Sequence, residues 1–225
     1  MGRARRIGAG AIGIIALALV LAQVFLPGIA ASSITSRLRK YGRVRSVSVS
    51  AWPAVKLLWG STDSVRIRLL DLRLTPHQSA KLVWEGRGAS SIDMTAGRAR
   101  EGPLQLSDVG LRKRGDVLTA QGVASEADVR AALPAGLAIK LLGSERGNVS
   151  VNVSGGLFGL AASVNAVAGP IAGTLVARPV GFLFEGLRLT LFADPHVYVE
   201  GVGATAITPP GGPPSYRLTM SARLR

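Results

Sequence analysis

From Gly42 onward the chain alternates. Val47, Val49 and Ala51 are separated by Ser48 and Ser50, with Ser46 ahead of them, and a period of two marks a strand with one buried face. Residues 64–75 repeat the pattern, with Val65, Ile67 and Leu69 pointing one way and Arg66 and Arg68 the other. At Leu69-Leu70 the phase slips, and Leu70, Leu72 and Leu74 then oppose Asp71 and Arg73. One extra residue that restores an apolar face is a β-bulge, which bends its strand, so this strand is expected to curve. Glycine-punctuated strand-like pieces follow at 91–95, 104–111, 117–123, 148–154, 187–192, 197–202 and 216–224. Turn signals such as Arg114-Gly115-Asp116 and Ser154-Gly155-Gly156 separate several of them.

Two segments carry the helical period instead. Ala30, Ile34, Leu38 and Tyr41 form one stripe that Gly42 ends, with Arg37, Arg39 and Lys40 off it. Such a helix either packs on a sheet or skims a membrane surface with its arginines at the headgroups. Ser125-Glu126-Ala127-Asp128 reads as an N-cap and an acidic first turn, opening a short helix that Pro134 ends. Residues 161–180 are apolar and small, broken by Gly169-Pro170 and Arg178-Pro179, and read as sheet interior rather than a membrane span. Many antiparallel strands with two helices predict an α+β fold.

Ahead of this body, Arg3, Arg5 and Arg6 precede an uncharged apolar run over residues 7–26, which as a helix spans ~30 Å, the thickness of a bilayer core. The pattern predicts a transmembrane anchor or signal segment over 1–27 and an extracytoplasmic domain over 28–225. A small-residue site at Gly28-Ile29-Ala30 would make the protein secreted if the segment is cleaved. Gly8-Ala9-Gly10-Ala11-Ile12-Gly13 matches a dinucleotide fingerprint in form only. An arginine cluster precedes it where a strand is needed, and the first carboxylate is Asp63.

Charge narrows the partners. The 225 residues carry 27 Lys and Arg against 13 Asp and Glu, a formal charge of +14, and only five of the cations are lysine. That excess calls for an anionic neighbour. Aromatics are 5% of the chain, too few for the stacking platforms of single-strand nucleic-acid binders, so a phospholipid headgroup, an anionic membrane surface or an acidic envelope polymer is expected and nucleic acid is not. The densest basic groups are Arg37, Arg39 and Lys40, then Arg66, Arg68 and Arg73, then Arg112, Lys113 and Arg114. The first two are assigned to the headgroup or membrane surface.

Chemistry is scarce. Cysteine is absent, which excludes disulfides, thiolate metal sites and cysteine nucleophiles. No nucleophile elbow, phosphate loop or metalloprotease helix motif occurs. No catalytic residue, metal site or cofactor is predicted. His77 and His196 each follow a proline and read as structural or solvated, and the sequons at Asn148 and Asn152 read as the polar face of a strand. The shared face of Val65, Ile67, Leu69, Leu70, Leu72 and Leu74 is either ordinary core or the wall of a cavity for acyl chains.

Val47-Ser48-Val49, Trp52-Pro53, Leu57-Leu58-Trp59-Gly60 and Asp63-Ser64-Val65-Arg66-Ile67 together resemble the opening of the LmeA-type phospholipid-binding proteins, an actinobacterial envelope family. The likeness extends over residues 1–135 in its order of elements. Ala54 departs from it, standing where a bulky apolar residue is common, as does the apolar 161–180 region. The resemblance implies a curved antiparallel sheet, elongated and barrel-like beside an N-terminal helix, similar to tubular lipid-binding folds. It also implies non-catalytic binding of anionic phospholipids, phosphoinositides among them, and a role in envelope lipid or lipoglycan metabolism. Two alternatives stay open: an envelope glycolipid hydrolase or transferase, and a membrane-anchored interaction module for an acidic polymer or partner protein.

Overall fold

The alternating segments pair into two sheets in the computed structural model, which describes residues 22–23, 25–101, 103–133, 135–157, 160–181 and 186–225. Of the described residues 60% are strand and few are helical, and neither sheet closes into a barrel. The α+β expectation holds at that level.

In chain order, helix α1 (residues 25–38) leads to β1 (Gly42–Ser50), β2 (Thr62–Leu74), α2 (Pro76–Glu85), β3 (Ala89–Glu101), β4 (Leu104–Arg114), β5 (Val117–Ser125) and α3 (Glu126–Ala132). The second half supplies β6 (Leu137–Glu145), β7 (Asn148–Leu157), β8 (Leu160–Ile171), β9 (Thr174–Pro179), β10 (Leu189–Phe192), β11 (Val197–Ile207) and β12 (Ser215–Leu224). The large sheet runs β1-β2-β3-β4-β5-β12-β11. The small one, β10-β9-β8-β7-β6, is inserted between β5 and β11.

One pairing departs from the antiparallel expectation: β2 and β3 are parallel. Parallel neighbours need a crossover, and α2 supplies it. Thr75 caps that helix, its hydroxyl accepting from Gln78 N–H while the Gln78 side chain accepts from Thr75 N–H, a reciprocal box with proline in the first turn. At the mid-chain helix Ser125 accepts from Asp128 N–H at 3.0 Å, as its sequence suggests.

The stripe on α1 packs against the sheet. Leu38 is buried with Val65, Ile67, Leu69 and Leu72 of β2 and with Ala89, Ile92, Ala96 and Ala99 of β3. Ile34, Tyr41 and Leu74 pack at the margin. The expected shared face therefore holds for five of its six members, and they form packed core. Leu70 is the exception, 46% exposed. The bulge is present, since the β1–β2 ladder steps from Val44↔Leu69 to Arg43↔Asp71 and skips Leu70. The slip turns residues 70 and 71 outward in succession, which lets the Asp71 carboxylate reach Arg43. A second core of Leu118, Val197 and Ala222 packs with Val83 of α2, Phe192 and Leu224.

Residues 161–179 lie in β8 and β9, joined through Ala172-Gly173, and Gly169-Pro170 lies inside β8 rather than breaking it. The hairpin turns of the small sheet meet β11, the edge of the large one. Val199 N–H donates to Gly173 O and Val202 N–H to Gly147 O, both at 2.9 Å, while Ala204 N–H donates to Ser144 Oγ at 3.2 Å. An edge strand's open donors are thereby covered. Among the described residues no helix is long and apolar enough to cross a membrane. The predicted span over 7–26 and the glycine pattern at 8–13 lie, but for a few residues, outside those described.

Candidate functional site

Strand alternation and register together give the large sheet two unlike faces. On the α1 side, Val49, Val65, Ile92, Lys113, Leu118, Ala222 and Val199 pair in one row across seven strands. The next row is Val47, Ile67, Met94, Leu111, Ala120, Met220 and Val202. The other side carries Ser48, Arg66, Asp93, Arg112, Thr119, Ser221 and Gly201 in one row, with Ser46, Arg68, Thr95, Gly110, Gln121, Thr219 and Gly203 in the next. Every side chain in these last two rows is polar or absent.

The glycine end of the polar rows is where the small sheet stands. A Cβ on Gly201 would lie 3.2 Å from Gly147 Cα, and one on Gly203 would lie 3.4 Å from Ser144 Oγ and 2.6 Å from Thr219 Oγ1. A side chain at Gly201 would press on the β6–β7 turn, and one at Gly203 would clash with Thr219. The turn, residues 144–147, walls one end of an open concavity of about 580 Å³. Its floor includes Thr95, Arg112, Thr119, Gln121, Thr219 and Ser221.

The electrostatics are positive. Arg66, Arg68, Arg112 and Arg146 are exposed and form no ion pair among the described residues. Asp93 is shared with Arg114 at 3.9 Å, and Glu200 with Arg223 at 2.6 Å. Glu145, in the wall, is the other carboxylate of the concavity. Arginine forks beside hydroxyls suit phosphate or carboxylate oxygens, which accept several donors at once.

The predicted residues divide between the two faces. Arg66 and Arg68 lie on the polar side, one strand beyond Asp93 and Thr95. Arg37, Arg39 and Lys40 are exposed on and just after α1, across the sheet from them, so the two groups do not share one site. Arg73 lies past the bulge, where its backbone N–H donates to Tyr41 O at 2.7 Å. The concavity is on the face opposite Val65, Ile67, Leu69, Leu72 and Leu74, and none of the six residues offered as a cavity wall, Leu70 included, lines it.

Lys113 leaves the basic surface group. It is 2% exposed, the one charge in an apolar row, because its Nζ finds backbone acceptors. It donates to Arg87 O at 3.2 Å and also to Ala89 O. Burial pushes its pKa below the ordinary lysine value, and Asp116 offsets part of that. His196 sits against the Trp84 ring, centroids 4.1 Å apart, with Nδ1 3.3 Å from Asp194 Oδ1. The side chain of His77 lies outside the described residues. Asn152 donates to Asn165 Oδ1 at 2.8 Å across β7 and β8, which makes it the polar face of its strand.

Thr119, Gln121, Thr219, Ser221 and Arg146 were not legible as a site. Each alternates correctly within its own strand or turn, but β5 and β12 become neighbours only through pairing across some hundred residues of chain. No family model, curated protein or solved structure matches the chain.

Proposed function

We propose that this protein is a non-catalytic binder of anionic phospholipid headgroups at an envelope membrane. The observation that carries the reading is the pair of polar rows, with Arg112 and Arg146 at a hydroxyl-lined concavity and Arg66 and Arg68 beside it. An ionised phosphodiester would accept arginine forks and hydroxyl donors there without any reacting group. The apolar run at 7–26 would hold the body beside the membrane that supplies the ligand. The likeness of residues 47–72 to LmeA-type proteins points the same way.

The concavity is open and carries the hydroxyls and arginine of the polar rows alongside apolar residues such as Met94 and Met220, which also suits an acidic envelope polymer, so the test separates the two. The full chain in detergent is titrated with short-chain phosphatidylglycerol, with phosphatidylcholine of the same chain length, and with a soluble teichoic-type polyphosphate. Saturable binding of phosphatidylglycerol alone supports the reading. Binding of the polymer but of neither lipid overturns it in favour of an interaction module.

A further inference from the structure

The connection between β1 and β2 buries two alanines and exposes three of its large apolar residues. Ala51 and Ala54 are 2% and 1% exposed, whereas Trp52, Leu58 and Trp59 are 72%, 67% and 75% exposed. This inversion is held in place. Asp63 accepts from Trp52 N–H and pairs with Lys56 at 3.6 Å. A 3-10 turn, Ala54–Trp59, ends at Gly60 in the left-handed region, φ +72°. Two tryptophans and a leucine on a fixed loop form an apolar patch of a kind that marks an interaction surface.

The position of the loop identifies what covers it. The Gln23 side chain donates to Ala51 O at 3.1 Å and accepts from Ala54 N–H at 2.7 Å. Gln23 is also the single interruption of the apolar run at 7–26, so the loop is tied to the chain within the last residues of that run. No charged residue occurs between Arg6 and Arg37. Phe25 and Ile29, just beyond Gln23, are 62% and 60% exposed. A surface that is aromatic, whose one cation, Lys56, is paired with Asp63, and that is adjacent to a bilayer-length apolar run matches the boundary between headgroups and acyl chains, where tryptophan is enriched because its ring is apolar and its N–H polar.

We propose that residues 52–60 are a membrane-docking surface, inserted at the headgroup–acyl boundary beside the N-terminal apolar run. This surface is separate from the polar concavity, and the proposal does not depend on what the concavity binds.

Full-length chain is reconstituted into phosphatidylcholine–phosphatidylglycerol vesicles in which the phosphatidylcholine is brominated at either shallow or deep acyl positions. Trp84, the third tryptophan, is accounted for by comparison with the double variant Trp52→Phe, Trp59→Phe, whose exposed positions tolerate the change. The expected result is a blue-shifted loop emission, quenched more by shallow than by deep bromine, and loss of that quenched component in the double variant. Equal bromine quenching in wild type and double variant would overturn the proposal. So would loop tryptophans that aqueous iodide still quenches in vesicles. Shielding that instead grows with protein concentration in detergent without lipid would assign the patch to a second copy of the chain, and would overturn it too.

Discussion

Asp71 accepts twice from Arg43, from its backbone N–H and from its Nε, each at 2.8 Å. The pair clamps β1 onto β2 where the ladder skips Leu70. The backbone N–H is the main cause that holds the Asp71 carboxyl below the ordinary aspartate value; desolvation opposes it and the guanidinium adds to it. A lowered carboxyl pKa contributes stability above the unfolded value of 3.8 that disappears as pH falls through the folded one. Asp71→Ala should therefore lower the melting temperature at neutral pH and speed hydrogen exchange at Arg43 N–H. The difference from wild type should close in acid below both values. A difference that persists there would mean the clamp does not depend on the charge.

The same bulge separates two leucines that look alike in sequence. Ile67 and Leu69 are 8% and 4% exposed, Leu70 is 46% exposed. Ile67→Ala should cost about 2–5 kcal/mol, the range for truncation in packed core, while Leu70→Ala should stay within about 0.5 kcal/mol, as surface changes do. Urea denaturation of the two variants measures both. Equal losses would restore Leu70 to the core.

How much was legible follows from this case. The phase slip at Leu69-Leu70 is visible, and so is the bulge, because both depend on local alternation. Which residue turns outward is not, because it is decided by Arg43, twenty-eight positions away. Helix α2 was missed although Thr75-Pro76-His77-Gln78 carries its cap; the signal was present and the strand pattern that runs into it masked it. The polar rows were out of reach for a different reason. Alternation assigns Thr119 and Ser221 each to a face, but their adjacency comes from β12 pairing with β5 although the whole small sheet intervenes between them in the chain.

Lys113 shows a charge that local pattern misassigns, and its burial has a pH signature. Lys113→Ala strips the donor from Arg87 O and from the buried Ala89 O, and leaving a buried acceptor unmet costs about 1–3 kcal/mol. The lysine's folded pKa is lowered by burial, so between that value and the unfolded one the unfolded chain binds the extra proton. Stability from this group then rises with pH. The gap between wild type and Lys113→Ala should widen on going from neutral toward pH 10.5. A gap that narrows would mean the protonated amine is the better-stabilised form.

The union of the sheets rests on close backbone approach at β11. Gly173 has φ +82°, and a Cβ there would lie 2.0 Å from the Tyr198 ring. Gly173→Ala combines an unfavourable backbone with a clash that must displace the ring or the turn, and the backbone strain alone costs about 1–3 kcal/mol. Exchange at Val199 N–H, which donates to Gly173 O, should accelerate more than exchange in the β2–β3 ladder. Uniform acceleration would show that the two sheets unfold as one unit.

The arginines beside the concavity give the last test, because their role separates from stability. Arg66 and Arg68 are exposed, without an ion pair among the described residues, and their strand is held by the opposite face. Removing both therefore removes no core contact, and Arg66→Ala with Arg68→Ala should leave the melting temperature unchanged. Near an anionic surface each such charge is worth ~1 kcal/mol, with a range set by salt. If the charges act at that range, the double variant should bind phosphatidylglycerol vesicles roughly 10- to 30-fold more weakly at low salt, as ~2 kcal/mol implies, and the deficit should shrink as salt rises. Arg112→Ala should behave differently. Arg112 lines the concavity itself, so its loss should persist at high salt if its guanidinium touches the phosphate directly. Early melting of the Arg66/Arg68 variant with normal lipid binding would make those two arginines structural. A deficit at Arg112 that salt abolishes would remove the direct contact from the proposal and leave only a diffuse field.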